Sequence, residues 1–137
     1  GYDVPADWSW LIKIKKEVGI PIIGNGDINS GEKASEMLEI ADGAMVARGA
    51  IGNPGIFKQI LDYLKIGKEK PATAQEKINS FKDYLKLAKN YELVDIPRIK
   101  HLGCQFFKGQ EGAAKRRAQL MGLRSFDEIE RFVKGLN

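Results

Sequence analysis

Two short apolar runs, each breaking into glycine, constrain this chain more than any other feature. Ile20-Pro21-Ile22-Ile23 runs into Gly24-Asn25-Gly26-Asp27-Ile28, and Ala44-Met45-Val46-Ala47 runs into Arg48-Gly49-Ala50-Ile51-Gly52-Asn53-Pro54. A wholly apolar short run suits a strand buried on both faces of a parallel sheet. Between them, a segment capped by Ser30 or Asn29 and running to about Ile40 has helical spacing, with Ala34, Met37 and Leu38 inward. Ala6 to Val18 reads as a preceding helix, with Trp8, Leu11, Ile12 and Ile14 apolar and Lys13, Lys15 and Lys16 toward water. Ile56 to Leu64 reads as a following one. Helix, strand, helix, strand, helix implies parallel pairing through right-handed crossovers. Two strands cannot cover themselves, so residues 1–66 read as the last part of a larger α/β sheet or barrel. Ile22, Ile23, Met45 and Val46 then require neighbours, from a missing N-terminal half or from self-association.

The pattern changes after Ile66. Residues 67–73, Gly67-Lys68-Glu69-Lys70-Pro71-Ala72-Thr73, form a polar linker. Residues 74–137 are helical throughout. Thr73 or Ala74 to Tyr91 places Ile78, Phe81, Leu85 and Ala88 on one face. Asp95 and Pro97 open a second helix that carries Ile99, Leu102 and Phe106 and stops near Gly109. Glu111 to Met121 is a third, stopped by Gly122. Ser125-Phe126-Asp127-Glu128 reads as a capping box for a fourth, with Ile129, Phe132 and Val133 inward. The fold class is therefore α/β plus all-α, with a small four-helix bundle after the barrel portion.

Charge divides along the same line. Residues 1–65 hold 7 Lys and Arg against 9 Asp and Glu; residues 66–137 hold 15 against 9. The excess concentrates in Arg98, Lys100, Lys108, Lys115, Arg116, Arg117 and Arg124, with Glu111 the one acid among them. Such a face is either a solvated helical surface or a site for a polyanion. With one cysteine, Cys104, and one histidine, His101, an internal disulfide is excluded and a structural zinc site is not expected. No apolar run approaches membrane-spanning length and no signal pattern opens the chain, so a cytoplasmic protein is expected, without a membrane partner.

The chemistry lies at the ends of the two strands. Gly24 and Gly26 permit a tight turn with backbone N–H groups close to a ligand. Arg48 follows a buried strand directly, where a charge needs a partner. A phosphate suits a guanidinium fork; a carboxylate, Asp27 or Asp42, would serve as well. Asp27 itself suits a ligand hydroxyl, a helix cap or a salt bridge. Two glycine loops side by side at strand ends are a phosphate cradle of the kind found at the carboxyl face of (β/α)8 barrels.

These blocks, with Ala6-Asp7-Trp8 before them and Asp42-Gly43 leading into the second, resemble the tRNA-dihydrouridine synthases over residues 3–57. Arg98, His101 and the run Ala113-Ala114-Lys115-Arg116-Arg117 resemble that family's helical domain. The resemblance implies the C-terminal part of an FMN-binding (β/α)8 TIM barrel followed by tRNA-binding helices. It also implies a flavin-dependent oxidoreductase that reduces uridine in tRNA, with NADPH as reductant. In its terms Asn25, Gly26, Asp27, Ala47, Arg48 and Gly49 hold FMN. Arg98, Lys100, His101, Lys108, Lys115, Arg116 and Arg117 meet RNA. Gly55 departs from the aromatic residue the family often places after Asn-Pro. The catalytic cysteine belongs to an earlier barrel loop, and Cys104 does not match it, so no catalytic residue is expected here and the chain alone is expected to be inactive. Cys104 is expected to be a half-buried hydrophobe. Phe106 is expected in the core, with Phe107 and Tyr91 as the exposed aromatics able to stack on bases. Two other readings remain: an RNA-binding fragment without catalysis, and a different FMN-dependent barrel oxidoreductase acting on a small molecule.

Overall fold

The computed structural model describes residues 4–136. The chain divides into two compact units. One comprises Gly1–Ala50 with Gly55–Pro71, the other Ile51–Pro54 with Ala72–Asn137.

In the first unit, α1 (Ser9–Glu17), β1 (Ile23–Asn25), α2 (Gly31–Ile40), β2 (Gly43–Met45), a single 3-10 turn (Arg48–Ala50) and α3 (Ile56–Ile66) follow in order. β1 and β2 pair in parallel, with Gly24 opposite Ala44 and Asn25 opposite Met45. Both strands are short and shifted from the apolar runs. β1 begins at Ile23 rather than Ile20, and β2 ends at Met45. The register is set just before the ladder, where the N–H groups of Asp42 and Gly43 both donate to Ile22 O, at 2.8 and 3.2 Å. The Asp42 carboxylate answers by accepting from Ile22 N at 2.7 Å and from the Lys15 ammonium. Lys15 thus ties α1 to the start of β2 instead of standing in water alone.

Ser30 caps α2 by accepting from Lys33 N. Ala34, Met37 and Ala41 are buried with Ile28, and Trp8, Leu11, Ile22, Ala44, Val46 and Ile60 pack around them. Leu38, expected inward, is exposed. Gly24 is closely packed, and a Cβ there would displace the ends of the Met37 and Leu11 side chains. The α1 stripe is corrected as well: Ile12 and Ile14 are exposed, and only Trp8 and Leu11 reach the core. Trp10 and Ile14, spaced by four residues, form an exposed pair on α1, and Phe57, Leu61 and Leu64 form an exposed row on α3. Ile23 is 68% exposed and Met45 53%, so this unit leaves apolar strand and helix surface to water.

The second unit is built on α4 (Ala74–Asn90), α5 (Ile96–Phe106), α6 (Ala113–Gly122) and α7 (Phe126–Lys134). They share one core of Ile78, Phe81, Leu85, Ala88, Ile99, Phe106, Phe107, Leu120, Ile129 and Val133. The capping box that forms in full is Thr73 with Glu76, at the start of α4. At α7 only half forms: Ser125 accepts from Glu128 N, but the Glu128 carboxylate turns to Arg124 N at 2.7 Å. Asp95 caps α5 through Arg98 N, with Pro97 in the first turn.

Phe107 is the clearest correction. It is fully buried, edge-on to Phe81 and Phe132. The helix ends at Phe106, and Phe107 is its C-cap. Phe107 keeps right-handed backbone angles off the α5 stripe, and it is buried because Phe81 of α4 and Phe132 of α7 cover it there. Tyr91 stays exposed.

Gly103 lets α4, α5 and α6 meet, since a Cβ there would lie 2.5 Å from Phe81 Cζ and 2.7 Å from Leu120 Cδ2. Overpacking a core by one carbon costs roughly 1–3 kcal/mol. Gly103→Ala should lower unfolding stability by about that amount, offset slightly by helix propensity. Urea unfolding followed by circular dichroism measures it, and an unchanged midpoint would show that the crossing is looser than described.

Asp42 provides a second test. The Lys15 hydrogen bond, and then the Ile22 amide, hold its carboxyl below the ordinary 3.8. A carboxyl whose folded pKa is depressed stabilises the fold above its unfolded pKa and loses that contribution as pH falls through the folded one. Asp42→Asn should therefore destabilise the chain near neutral pH, and the gap to the wild type should close on acidification below about pH 3.8. A gap constant with pH would exclude the charge as its source.

Candidate functional site

In the first unit, parallel pairing brings the carboxyl ends of β1 and β2 side by side, and the loops that follow touch. Arg48 Nη2 donates to Asp27 Oδ1 at 2.9 Å. Asp27 Oδ2 accepts from Ala6 N at 2.8 Å. Asn25 Nδ2 donates to Met45 O at 3.2 Å, tying the ends of the ladder together. Ala47 O accepts from Ala50 N and closes the turn that carries Arg48 and Gly49. The six residues expected at the phosphate end thus stand together, on one edge of one unit.

The glycines serve this arrangement differently from the sequence reading. At Gly26, with φ 139°, a Cβ would meet Ala6 Cβ at 2.5 Å and Trp8 Nε1 at 3.0 Å. At Gly49 a Cβ would meet Ile28 O at 2.4 Å and Asn29 Cα at 3.1 Å. Both positions are small because protein backbone and side chains close on them. Trp8 Nε1 donates to Gly26 O at 3.2 Å and fixes the same turn from the α1 side. Asp27 holds a left-handed φ of 51°, a conformation that Asp tolerates better than most residues.

The pairing of Arg48 with a carboxylate, one of two partners open in the sequence, is therefore present. Their side chains are 57% and 40% exposed. The guanidinium lies on the surface where the loops meet, and its five donors allow one group to hold an oxygen of Asp27 and an oxygen of a phosphate.

In the second unit the seven basic or histidine positions separate into two sets. Lys100 Nζ donates to Met121 O at 2.9 Å and Leu123 O at 3.0 Å. It satisfies carbonyls at the end of α6, where a cation is favoured. Arg116 Nη1 donates to Gln110 Oε1 at 2.8 Å, and Gln110 Nε2 donates to Phe106 O at 2.7 Å. Those two cations have partners within the fold. Arg98, His101, Lys108, Lys115 and Arg117 are exposed. Charge counting cannot separate the two sets, because the partners of Lys100 are backbone carbonyls more than twenty residues away. Cys104 is half-buried beside the core, and burial pushes its thiol up, with Arg117 opposing weakly.

Ile51–Pro54 belongs to this unit. Gly52, with φ 74°, lies against α5, where a Cβ would meet Gln105 C at 2.5 Å. Among the described residues no group of three acidic, His or Cys side chains is placed to hold a metal ion. No helix among them is long and apolar enough to cross a membrane.

Comparison with known proteins follows the same residues. The dihydrouridine synthase (Dus) family model matches residues 1–132. A protein named "Probable tRNA-dihydrouridine synthase" from Rickettsia bellii is 51% identical over 77 residues, 55% of this chain and 24% of that protein. "Probable tRNA-dihydrouridine synthase 1" from Synechocystis is 37% identical over 133 residues, covering 93% of this chain and 37% of its own length. "tRNA-dihydrouridine synthase B" from Pseudomonas syringae pv. tomato is 40% identical over 79 residues, 56% of this chain and 23% of that protein. The chain spans a quarter to two-fifths of the curated relatives it matches. With the family model covering nearly its whole length, the chain belongs to the dihydrouridine synthase family.

Proposed function

We propose that this chain is the C-terminal part of a flavin-dependent tRNA-dihydrouridine synthase. In this reading residues 1–66 are the closing portion of a TIM barrel and residues 74–137 a helical tRNA-binding domain, joined by the linker 67–73. The observation that carries it is the meeting of the two strand-end loops at Arg48, Asp27 and Gly49. A guanidinium held at the carboxyl ends of adjacent parallel strands suits the phosphate of FMN. Arg48 binds that phosphate, while the N–H groups of Asn25, Gly26, Asp27 and Gly49 and the turn at Ala47 shape the loops around it. When bound, the reduced flavin supplies hydride to the uracil ring, recharged from NADPH. The proton donor and the uracil pocket belong to the preceding part of the barrel. That part also covers Ile23, Met45 and the exposed apolar residues on α1 and α3. The exposed cations Arg98, Lys108, Lys115 and Arg117, with His101, face the tRNA backbone. The protein works in the cytoplasm, where tRNA is modified.

Two binding measurements test this. FMN should bind this chain more tightly than riboflavin, and Arg48→Ala should abolish the difference, weakening FMN by about tenfold or more, as for loss of a charge-assisted contact. Equal binding of FMN and riboflavin by the wild type would remove Arg48 from the phosphate site. A chain that takes up no flavin yet holds tRNA would be the RNA-binding fragment instead.

Unmodified tRNA should bind with strong salt dependence. Each lost phosphate contact reduces the logarithmic salt slope by roughly 0.7 to 0.9. Lys115→Ala with Arg117→Ala should reduce the slope by about 1 to 2. A slope unchanged in the double variant would place the RNA elsewhere.

A further inference from the structure

We infer that Asp27 acts as the positioning residue of Arg48, its carboxylate orienting the guanidinium toward the ligand. This rests on the reading that Arg48 meets the FMN phosphate. Both carboxylate oxygens are engaged, Oδ1 by Arg48 Nη2 at 2.9 Å and Oδ2 by Ala6 N at 2.8 Å. The backbone beside it is fixed from two sides. Gly26 is closed in by Ala6 and Trp8, and Gly49, next to Arg48, lies against Ile28 O. Asp27 is therefore an anchored acceptor for one Nη group of the longer arginine side chain. An exposed arginine otherwise samples many rotamers, each of which must be given up when a phosphate binds. A carboxylate clamped at a fixed point reduces that loss before the ligand arrives.

The opposing effect is repulsion. A bare carboxylate beside a phosphate disfavours the anion. With Arg48 in place its charge is compensated, and orientation outweighs repulsion. Without Arg48 only repulsion remains. Substitution of Asp27 should therefore change sign between the two backgrounds, which a residue needed only for folding would not do.

The experiment is a double-mutant cycle on this chain, with FMN and riboflavin as probes. Asp27→Ala should weaken FMN binding about three- to fivefold and leave riboflavin binding unchanged. In the Arg48→Ala background the same substitution should leave FMN affinity unchanged or raise it. Guanidinium NMR of the ligand-free chain should show slower rotation of the Arg48 Nη groups in the wild type than in Asp27→Ala. Equal losses of FMN in both backgrounds, a parallel loss of riboflavin, or identical Arg48 spectra would each overturn the inference. If the wild type does not distinguish FMN from riboflavin, the phosphate reading fails first and this inference fails with it. A wild type that prefers FMN, combined with an additive cycle, overturns the inference alone.

Discussion

The structure of the first unit depends on one short piece of parallel pairing. Three residues of β1 face three of β2, and so small a ladder is weak by itself. Its register is secured by groups outside it. Ile22 O accepts two amides, Ile22 N donates to Asp42, and Asp42 is held in turn by Lys15. A slip by one residue would turn the slipped strand's side chains to the opposite face and would break all of these bonds. Because the register holds, Asn25 ends level with Met45, and the loops that follow leave the sheet side by side. The approach of Arg48 to Asp27 is a consequence of that alignment.

Much of this was legible in the sequence, for identifiable reasons. Ser30, Asp95 and Ser125 were readable as caps because a short polar side chain before an apolar periodic run has few other uses. The stops and starts of the helices followed. Periodicity misleads where other elements decide which faces are covered. Phe107 lies off the α5 stripe, yet Phe81 and Phe132 from two other helices cover it. Ile12 and Ile14 were assigned inward on a helix that buries no residue fully. Glu128 can cap Ser125 or reach Arg124, and the sequence does not distinguish these. Glycine was read correctly as a mark of close approach, but the approaching atoms at Gly26 and Gly49 are the chain's own. A sequence shows that a Cβ is excluded and does not show by what.

The expected site residues show a similar limit. A net positive charge is a sum over side chains, whereas binding depends on which of them remain available. Lys100 and Arg116 have polar partners in the fold that bear no charge, so no acidic residue nearby in sequence betrays them. Lys100 is the more instructive. Its ammonium meets two carbonyls at the end of α6, groups that a helix always leaves without internal partners. Cations are therefore drawn into structural work wherever a helix ends beside them, and a basic segment loses some of its apparent capacity for polyanions.

The same reasoning separates stability from function at Arg48 and Asp27. Exposed ion pairs contribute at most about 1 kcal/mol to folding, because water competes for both ions and two side chains must be ordered. This pair is too open to water to hold the loops together. Gly26 against Ala6 and Trp8, and Gly49 against Ile28, do that through contacts that a single methyl group would destroy. What the ion pair sets is the direction of a guanidinium on a surface already fixed beneath it. An interaction that is weak as a fastener can still be effective as a guide, since a preference of about the thermal energy already biases which arrangement the guanidinium adopts.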